Sequence, residues 1–195
     1  MLDYKKISQM LIFIFGGSGD LNFRKLNPAL FNLFVDNAMP ENFSIIGISR
    51  SDYKAGEYLK HLEDGMKNFS RRKGSQEDWD KFSCHINYLR MDINDEKDYA
   101  KISQVAKEKE SEFGVHPNII FYMAVATQLV PAIVQNLGKL TICHDTKCTR
   151  IVIEKPFGHD LQSAKDMNHM LGQFFMEDQI FRIDHYLGKE TVQNI

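Results

Sequence analysis

Near the end of the chain the run RIDHYLGKE (182–190) packs a carboxylate, an imidazole, a phenol and an ammonium into nine residues. His185 and Lys189 stand four apart and Tyr186 and Lys189 three apart, spacings that share one helix face. Three donors on one helical turn suit a phosphate monoester. Asp184 closes an apolar strand-like run, where it could orient a catalytic imidazole as a carboxylate does in a hydrolase triad. A second candidate is RIVIEKPFG (150–158), a β-branched run ending in Glu154, Lys155 and Pro156. Ligands of open α/β sheets bind at strand C-termini. A lysine there can donate to a substrate oxygen and to a nicotinamide carboxamide, and the X-Pro bond fixes its direction.

The third feature is a glycine turn, IFIFGGSGDLNFRKLNPALFNLF (12–34). Gly16 and Gly19 allow a tight turn and let backbone N–H groups approach a diphosphate, while the helix start adds partial positive charge. Ser18 offers a further hydroxyl donor. The spacing is G-x-x-G rather than the full G-x-G-x-x-G, and no Gly-Lys-Ser/Thr follows, so a P-loop is excluded. Asn27-Pro28 interrupts the helical pattern. Proline clashes within a continuous helix, so the expectation is a break between Lys25 and Ala29, with Asn27 as N-cap of a new helix.

Such residues need a frame that brings strand ends together. Short runs apolar on both faces mark strands at Met10–Phe15, Ser44–Ile48, Ile86–Met91, Asn118–Met123, Arg150–Glu154 and Gln179–Ile183. Helical patterns occupy Tyr99–Glu112, Val130–Leu137 and Leu161–Phe174, with further helices at Ser51–Phe69 and Gln76–Phe82 between strands two and three. This alternation predicts an α/β fold: a Rossmann-like, doubly wound, mostly parallel six-stranded sheet with helices on both faces. No linker divides residues 1–195, which read as one coenzyme-binding domain. The second strand runs into Ser49-Arg50-Ser51, where an NAD enzyme usually carries an acid. A guanidinium and two hydroxyls suit the 2′-phosphate of NADP, although Asp52 lies nearby.

The bulk properties fit this reading. The chain has 195 residues, 43% of them hydrophobic, enough for one buried core. Its 24 Lys and Arg against 26 Asp and Glu create no global field for nucleic acid or anionic lipid. Arg71-Arg72-Lys73 is followed by acids and reads as a solvated loop. Cys84, Cys143 and Cys148 give no even disulfide framework. Cys143, His144 and Cys148 lack a second ligand pair at zinc spacing, so reduced thiols and no metal are expected. The six apolar residues from Met10 are too few for a signal core or membrane span, and a cytoplasmic location follows.

RIDHYLGKE resembles the active-site signature of the glucose-6-phosphate dehydrogenase family. GGSGDLNFRKLNPALFNLF (16–34) resembles that family's coenzyme turn, and EKPFG (154–158) its lysine-proline segment; the likeness runs from about Ile12 to Ile195 and includes Trp79 and FYMAVATQLV (121–130). The resemblance implies oxidation of glucose 6-phosphate at C1 to the 6-phosphogluconolactone, with hydride passing to NADP in the first step of the pentose phosphate pathway. By the same resemblance, Gly16, Gly17, Ser18, Gly19, Asp20, Leu21, Asn22 and Phe23 cradle the coenzyme diphosphate and Arg50 its 2′-phosphate. Asp92 and Ile93 lie near the adenosine, and Lys155 touches both coenzyme and sugar. His185, Tyr186 and Lys189 hold the sugar phosphate, and Asp184 orients the general base. Asn22-Phe23 replaces the family's usual Ala-Lys, removing a cation from the coenzyme turn, and Ala126-Thr127 replaces a proline-containing step.

In the family, the general-base histidine follows this signature in a β+α domain that also supplies sugar ligands and the homo-oligomer interface. The 195 residues are therefore expected to bind NADP without turnover. Two alternatives stand beside this reading: a dinucleotide-binding sensor module, and a sugar dehydrogenase of the glucose-fructose oxidoreductase type, which lacks the Asp-His-Tyr-Leu-Gly-Lys turn. A short-chain reductase needs Tyr-x-x-x-Lys, whereas Tyr186 and Lys189 are three apart.

Overall fold

The strand β1, Met10–Phe15, carries no charge and is covered on both faces. Leu11, Phe13 and Phe15 join one hydrophobic cluster, and Ile12 and Ile14 join another. This follows from the two-residue period of a strand inside a sheet covered on both sides. The computed structural model describes residues 8–155, 157–158 and 160–184.

Five more strands complete the sheet: β2 (Phe43–Ser49), β3 (Ile86–Arg90), β4 (Asn118–Met123), β5 (Thr149–Glu154) and β6 (Ile180–Ile183). Their order is β3-β2-β1-β4-β5-β6, and every pairing is parallel. Parallel pairing brings all six C-terminal ends to one edge. The chain reverses its direction of strand addition between β1 and β4, which opens a crevice there.

Among the described residues, six α-helices cover the two faces. On one side α1 (Asn27–Val35), α2 (Glu57–Phe69) and α3 (Gln76–Ser83) bury Phe31, Leu62, Trp79 and Phe82 against Ile12, Ile14 and Ile45. On the other, α4 (Ala100–Phe113), α5 (Val130–Leu137) and α6 (Leu161–Phe174) bury Ile102, Ile133, Val134 and Leu171 against Leu11, Phe13 and Phe121. Each fully buried side chain of this size contributes roughly 1.5–3 kcal/mol relative to exposure. None of the helices among the described residues is long and apolar enough to cross a membrane.

The predicted bounds of β1, β4, α5 and α6 match the structure. Helix α2 begins at Glu57 rather than Ser51, because Gly56 ahead of it takes a left-handed φ of 82°. The expectation for Asn27 is corrected. Asn27 is helical (φ −60°, ψ −46°) and is not an N-cap. Helical backbone runs on from Asp20, and the irregularity is a π-turn over Asn22–Leu26, where the Asn27 N–H bonds to the Asn22 carbonyl. The wider turn relieves the crowding that a proline ring imposes on the preceding turn. Asn27 is buried and donates its amide to the Leu62 carbonyl at 3.1 Å, pinning α1 to α2. A tertiary contact thus takes the role that local sequence would give to capping.

Candidate coenzyme site

At the C-terminal edge of the sheet, the turn after β1 is pressed onto its neighbours. Gly16 and Gly17 both donate their N–H groups to the Ile48 carbonyl, at 3.0 and 2.8 Å. Gly16 has φ +86°, and a Cβ there would collide with the Ala124 carbonyl oxygen. A Cβ on Gly17 would sit 2.6 Å from the Gly47 Cα. Only glycine lets the first turn nest between β2 and β4. Gly19 closes the turn through a 2.8 Å bond to the Gly16 carbonyl, and helix begins at Asp20. The first N–H groups of a helix lack intrahelical partners and face outward from its start.

Asn22 and Phe23 point away from this mouth. Asn22 is buried and donates at 2.6 Å to the Gly17 carbonyl and at 3.3 Å to the Tyr58 hydroxyl. Tyr58 donates to the same carbonyl at 3.2 Å. Phe23 stacks on His61 and meets Phe69 edge-on. Their side chains brace the turn from beneath.

A cavity of about 560 Å³ opens beside the turn, lined by Gly16, Ser18, Ser49, Arg50, Ser51 and Ile93 among others. That volume lies in the range of cofactor sites. Ser51 donates to Ser18 at 3.2 Å, joining the first loop to the second. The Tyr88 hydroxyl holds the second loop, donating to the Ser51 carbonyl at 2.6 Å and lying 2.7 Å from the Ser49 hydroxyl. Burial raises the Tyr88 pKa. Arg50 is exposed and makes no hydrogen bond or ion pair with other described residues. Asp52 is engaged by Arg90 at 2.9 Å. Asp92 is turned into its own loop, accepting from the Asn94 N–H at 3.0 Å, while its own N–H donates to Asp98.

Two strands further along the edge lies the second group. Lys155, exposed after β5, is 3.2 Å from the Asp184 carboxylate after β6. Pairing of β5 with β6 sets this distance, since the Lys155 N–H bonds to the Ile183 carbonyl. Glu154 accepts a 2.7 Å hydrogen bond from Tyr122. Burial, with that carboxylate beside it, pushes the Tyr122 pKa up. His185, Tyr186, Lys189 and Pro156 lie outside the described residues. Sequence reasoning missed Tyr58, Tyr88 and Tyr122, whose partners are remote in the chain.

The sheet order, the glycine-cradled crevice and the cavity at the end of β2 define a doubly wound domain of the dinucleotide-binding class. The family profile described as "Glucose-6-phosphate dehydrogenase, NAD binding domain" matches residues 13–194, and the chain belongs to that family. It is 37% identical over 185 residues to a glucose-6-phosphate 1-dehydrogenase of Leuconostoc mesenteroides, covering 95% of this chain and 37% of the relative. It is 34% identical over 184 residues to glucose-6-phosphate 1-dehydrogenase 2 of Mycobacterium tuberculosis (strain ATCC 25618 / H37Rv), covering 93% and 36%. A solved structure titled "Glucose-6-phosphate dehydrogenase in complex with its substrate glucose-6-phosphate" superposes with a TM-score of 0.82 and 32% identity, over 96% of this chain and 39% of the other. The chain thus spans just over a third of the length of these relatives.

Proposed function

We propose that this chain is the coenzyme-binding part of an NADP-dependent glucose-6-phosphate 1-dehydrogenase, which oxidises D-glucose 6-phosphate at C1 to 6-phospho-D-glucono-1,5-lactone. The observation that carries the coenzyme choice is the end of β2. Arg50 stands at the cavity with no acidic partner among the described residues; Asp52 is paired with Arg90, and Asp92 accepts from the Asn94 N–H within its own loop. A dianionic 2′-phosphate gains a charge-assisted contact from the Arg50 guanidinium, which a ribose 2′-hydroxyl does not.

The remaining roles are those that the family resemblance implies. The turn from Gly16 to Leu21 holds the diphosphate. Gly16, Gly17 and Gly19 spend their own N–H groups shaping the turn, and the helix start at Asp20 and Leu21 supplies the unpaired N–H groups of a helix N-terminus. Asn22 and Phe23 support that backbone, and Asp92 and Ile93 border the adenosine half. Lys155, at the far end, donates to the sugar and to the nicotinamide carboxamide, and Asp184 orients the general base. His185, Tyr186 and Lys189 take the sugar phosphate. The bound coenzyme supplies the hydride acceptor; the protein's part is to position it and to move the hydroxyl proton. Calorimetric titration of the chain with NADP and NAD tests the proposal. The expected result is NADP binding at least tenfold tighter; equal or weaker binding of NADP would refute it.

A further inference from the structure

The opposite edge of the sheet holds a cluster that the coenzyme reading does not use. His116 lies in the turn between α4 and β4, and Asp145 and Cys148 lie in the turn before β5. The β4–β5 register places Ile119 beside Thr149, and the Ile119 N–H bonds to the Cys148 carbonyl at 2.8 Å. The sheet therefore brings the two turns together. One ligand atom from each of His116, Asp145 and Cys148 lies within 4.8 Å of the others.

The three groups are already oriented. Asp145 uses Oδ1 to accept from the N–H groups of Lys147 and Cys148, at 2.9 and 3.2 Å. That leaves Oδ2 facing His116 Nε2 at 3.3 Å. On its other side, His116 Nδ1 lies 3.0 Å from the Glu110 carboxylate. A proton shared there leaves the Nε2 lone pair toward Asp145, the arrangement by which a second carboxylate orients a metal-binding imidazole. Two ligands held about 2.0–2.1 Å from a tetrahedral ion stand roughly 3.3–3.4 Å apart, which matches the His116–Asp145 edge.

We infer that His116, Asp145 and Cys148 form a binding site for a borderline-soft divalent cation of the zinc type, with Glu110 as the positioning residue behind His116. The N, O, S donor set selects against magnesium and calcium, which prefer all-oxygen shells. Three protein ligands leave a fourth position for water. Metal binding displaces the thiol proton of Cys148 and ties the α4–β4 turn to the β5 entry. The adjacent pair Cys143-His144 takes no part: Cys143 is fully buried, and His144 Nε2 sits 3.0 Å from the Gly138 carbonyl. His116 supplies the partner that linear spacing around Cys148 did not contain.

Cobalt(II) titration of the reduced chain tests the site. The expected result is a thiolate-to-cobalt charge-transfer band saturating at one equivalent, bleached by zinc, absent in Cys148→Ser and retained in Cys84→Ser. His116→Gln, a change at an exposed position with retention of the fold checked by circular dichroism, should also remove the band. Glu110→Gln should keep it but weaken cobalt affinity by roughly 10–100-fold. Absence of a band in the unmodified chain would overturn the inference. So would a band that survives in both Cys148→Ser and His116→Gln, or one that depends on Cys84.

Discussion

Asn22 reaches back five residues to Gly17, its amide nitrogen 2.6 Å from the glycine carbonyl, and Tyr58 donates to that same carbonyl from α2. The coenzyme turn is thus fastened to the fold from its buried side, beneath the helix start at Asp20. Removing either donor leaves the carbonyl bonded to the other, so the loss is that of one buried hydrogen bond, roughly 0.5–1.5 kcal/mol. Asn22→Ala is expected to lower unfolding free energy by about that amount, and Tyr58→Phe by about 1 kcal/mol. Urea denaturation monitored by circular dichroism checks both. Unchanged midpoints would show that the turn is held by the glycine packing alone.

Much of this frame is legible in the sequence, and its failures have physical causes. Strand β1 and helix α6 are readable because burial on both faces and helical periodicity leave direct marks over several residues. Asn27 is misread because capping is a local preference, whereas its amide is claimed by Leu62 across the α1–α2 interface. Tyr58, Tyr88 and Tyr122 look like ordinary core aromatics in sequence. Their hydroxyls serve the loops at Gly17 and Ser51 and the carboxylate of Glu154, contacts that only the folded chain brings together. Lys155 and Asp184 each stand out in a sequence motif; their pairing depends on the β5–β6 register.

Burial holds the hydroxyls of Tyr58, Tyr99 and Tyr122 above the ordinary tyrosine range, with Tyr99 pushed up to about 12. Below pH about 10 neither folded nor unfolded chain ionises them, so their burial contributes in full. As pH rises past about 10, the unfolded chain releases protons that the folded chain keeps, and stability falls until the folded values are reached. An absorbance titration of tyrosinate should therefore show these three ionising only as circular dichroism is lost. Reversible titration of all seven tyrosines near pH 10 with intact secondary structure would contradict the burial argument.

A polypeptide of these 195 residues alone is expected to bind NADP and to leave glucose 6-phosphate unoxidised. General-base removal of the hydroxyl proton is typically worth about 10²–10⁴-fold, and the described histidines are placed elsewhere. His61 stacks on Phe23, His85 on Phe43, His116 faces Glu110, His144 faces Gly138, and His169 lies on α6 beside Gln173. A spectrophotometric assay for NADPH on material of verified mass checks this. Protein-dependent NADPH formation well above a blank would mean that a group within these residues serves as base, and the role given to Asp184 would have to be redrawn.

The affinities of Arg50→Ala for NADP and NAD test the proposed reading of the coenzyme's 2′-phosphate by Arg50. Loss of a charge-assisted contact costs on the order of 1.5–3 kcal/mol, and every 1.4 kcal/mol is about tenfold in affinity. Titration should show NADP binding weakened at least tenfold while NAD binding stays within about twofold of the unmodified chain. Equal losses for both coenzymes, or no loss for NADP, would contradict the assignment.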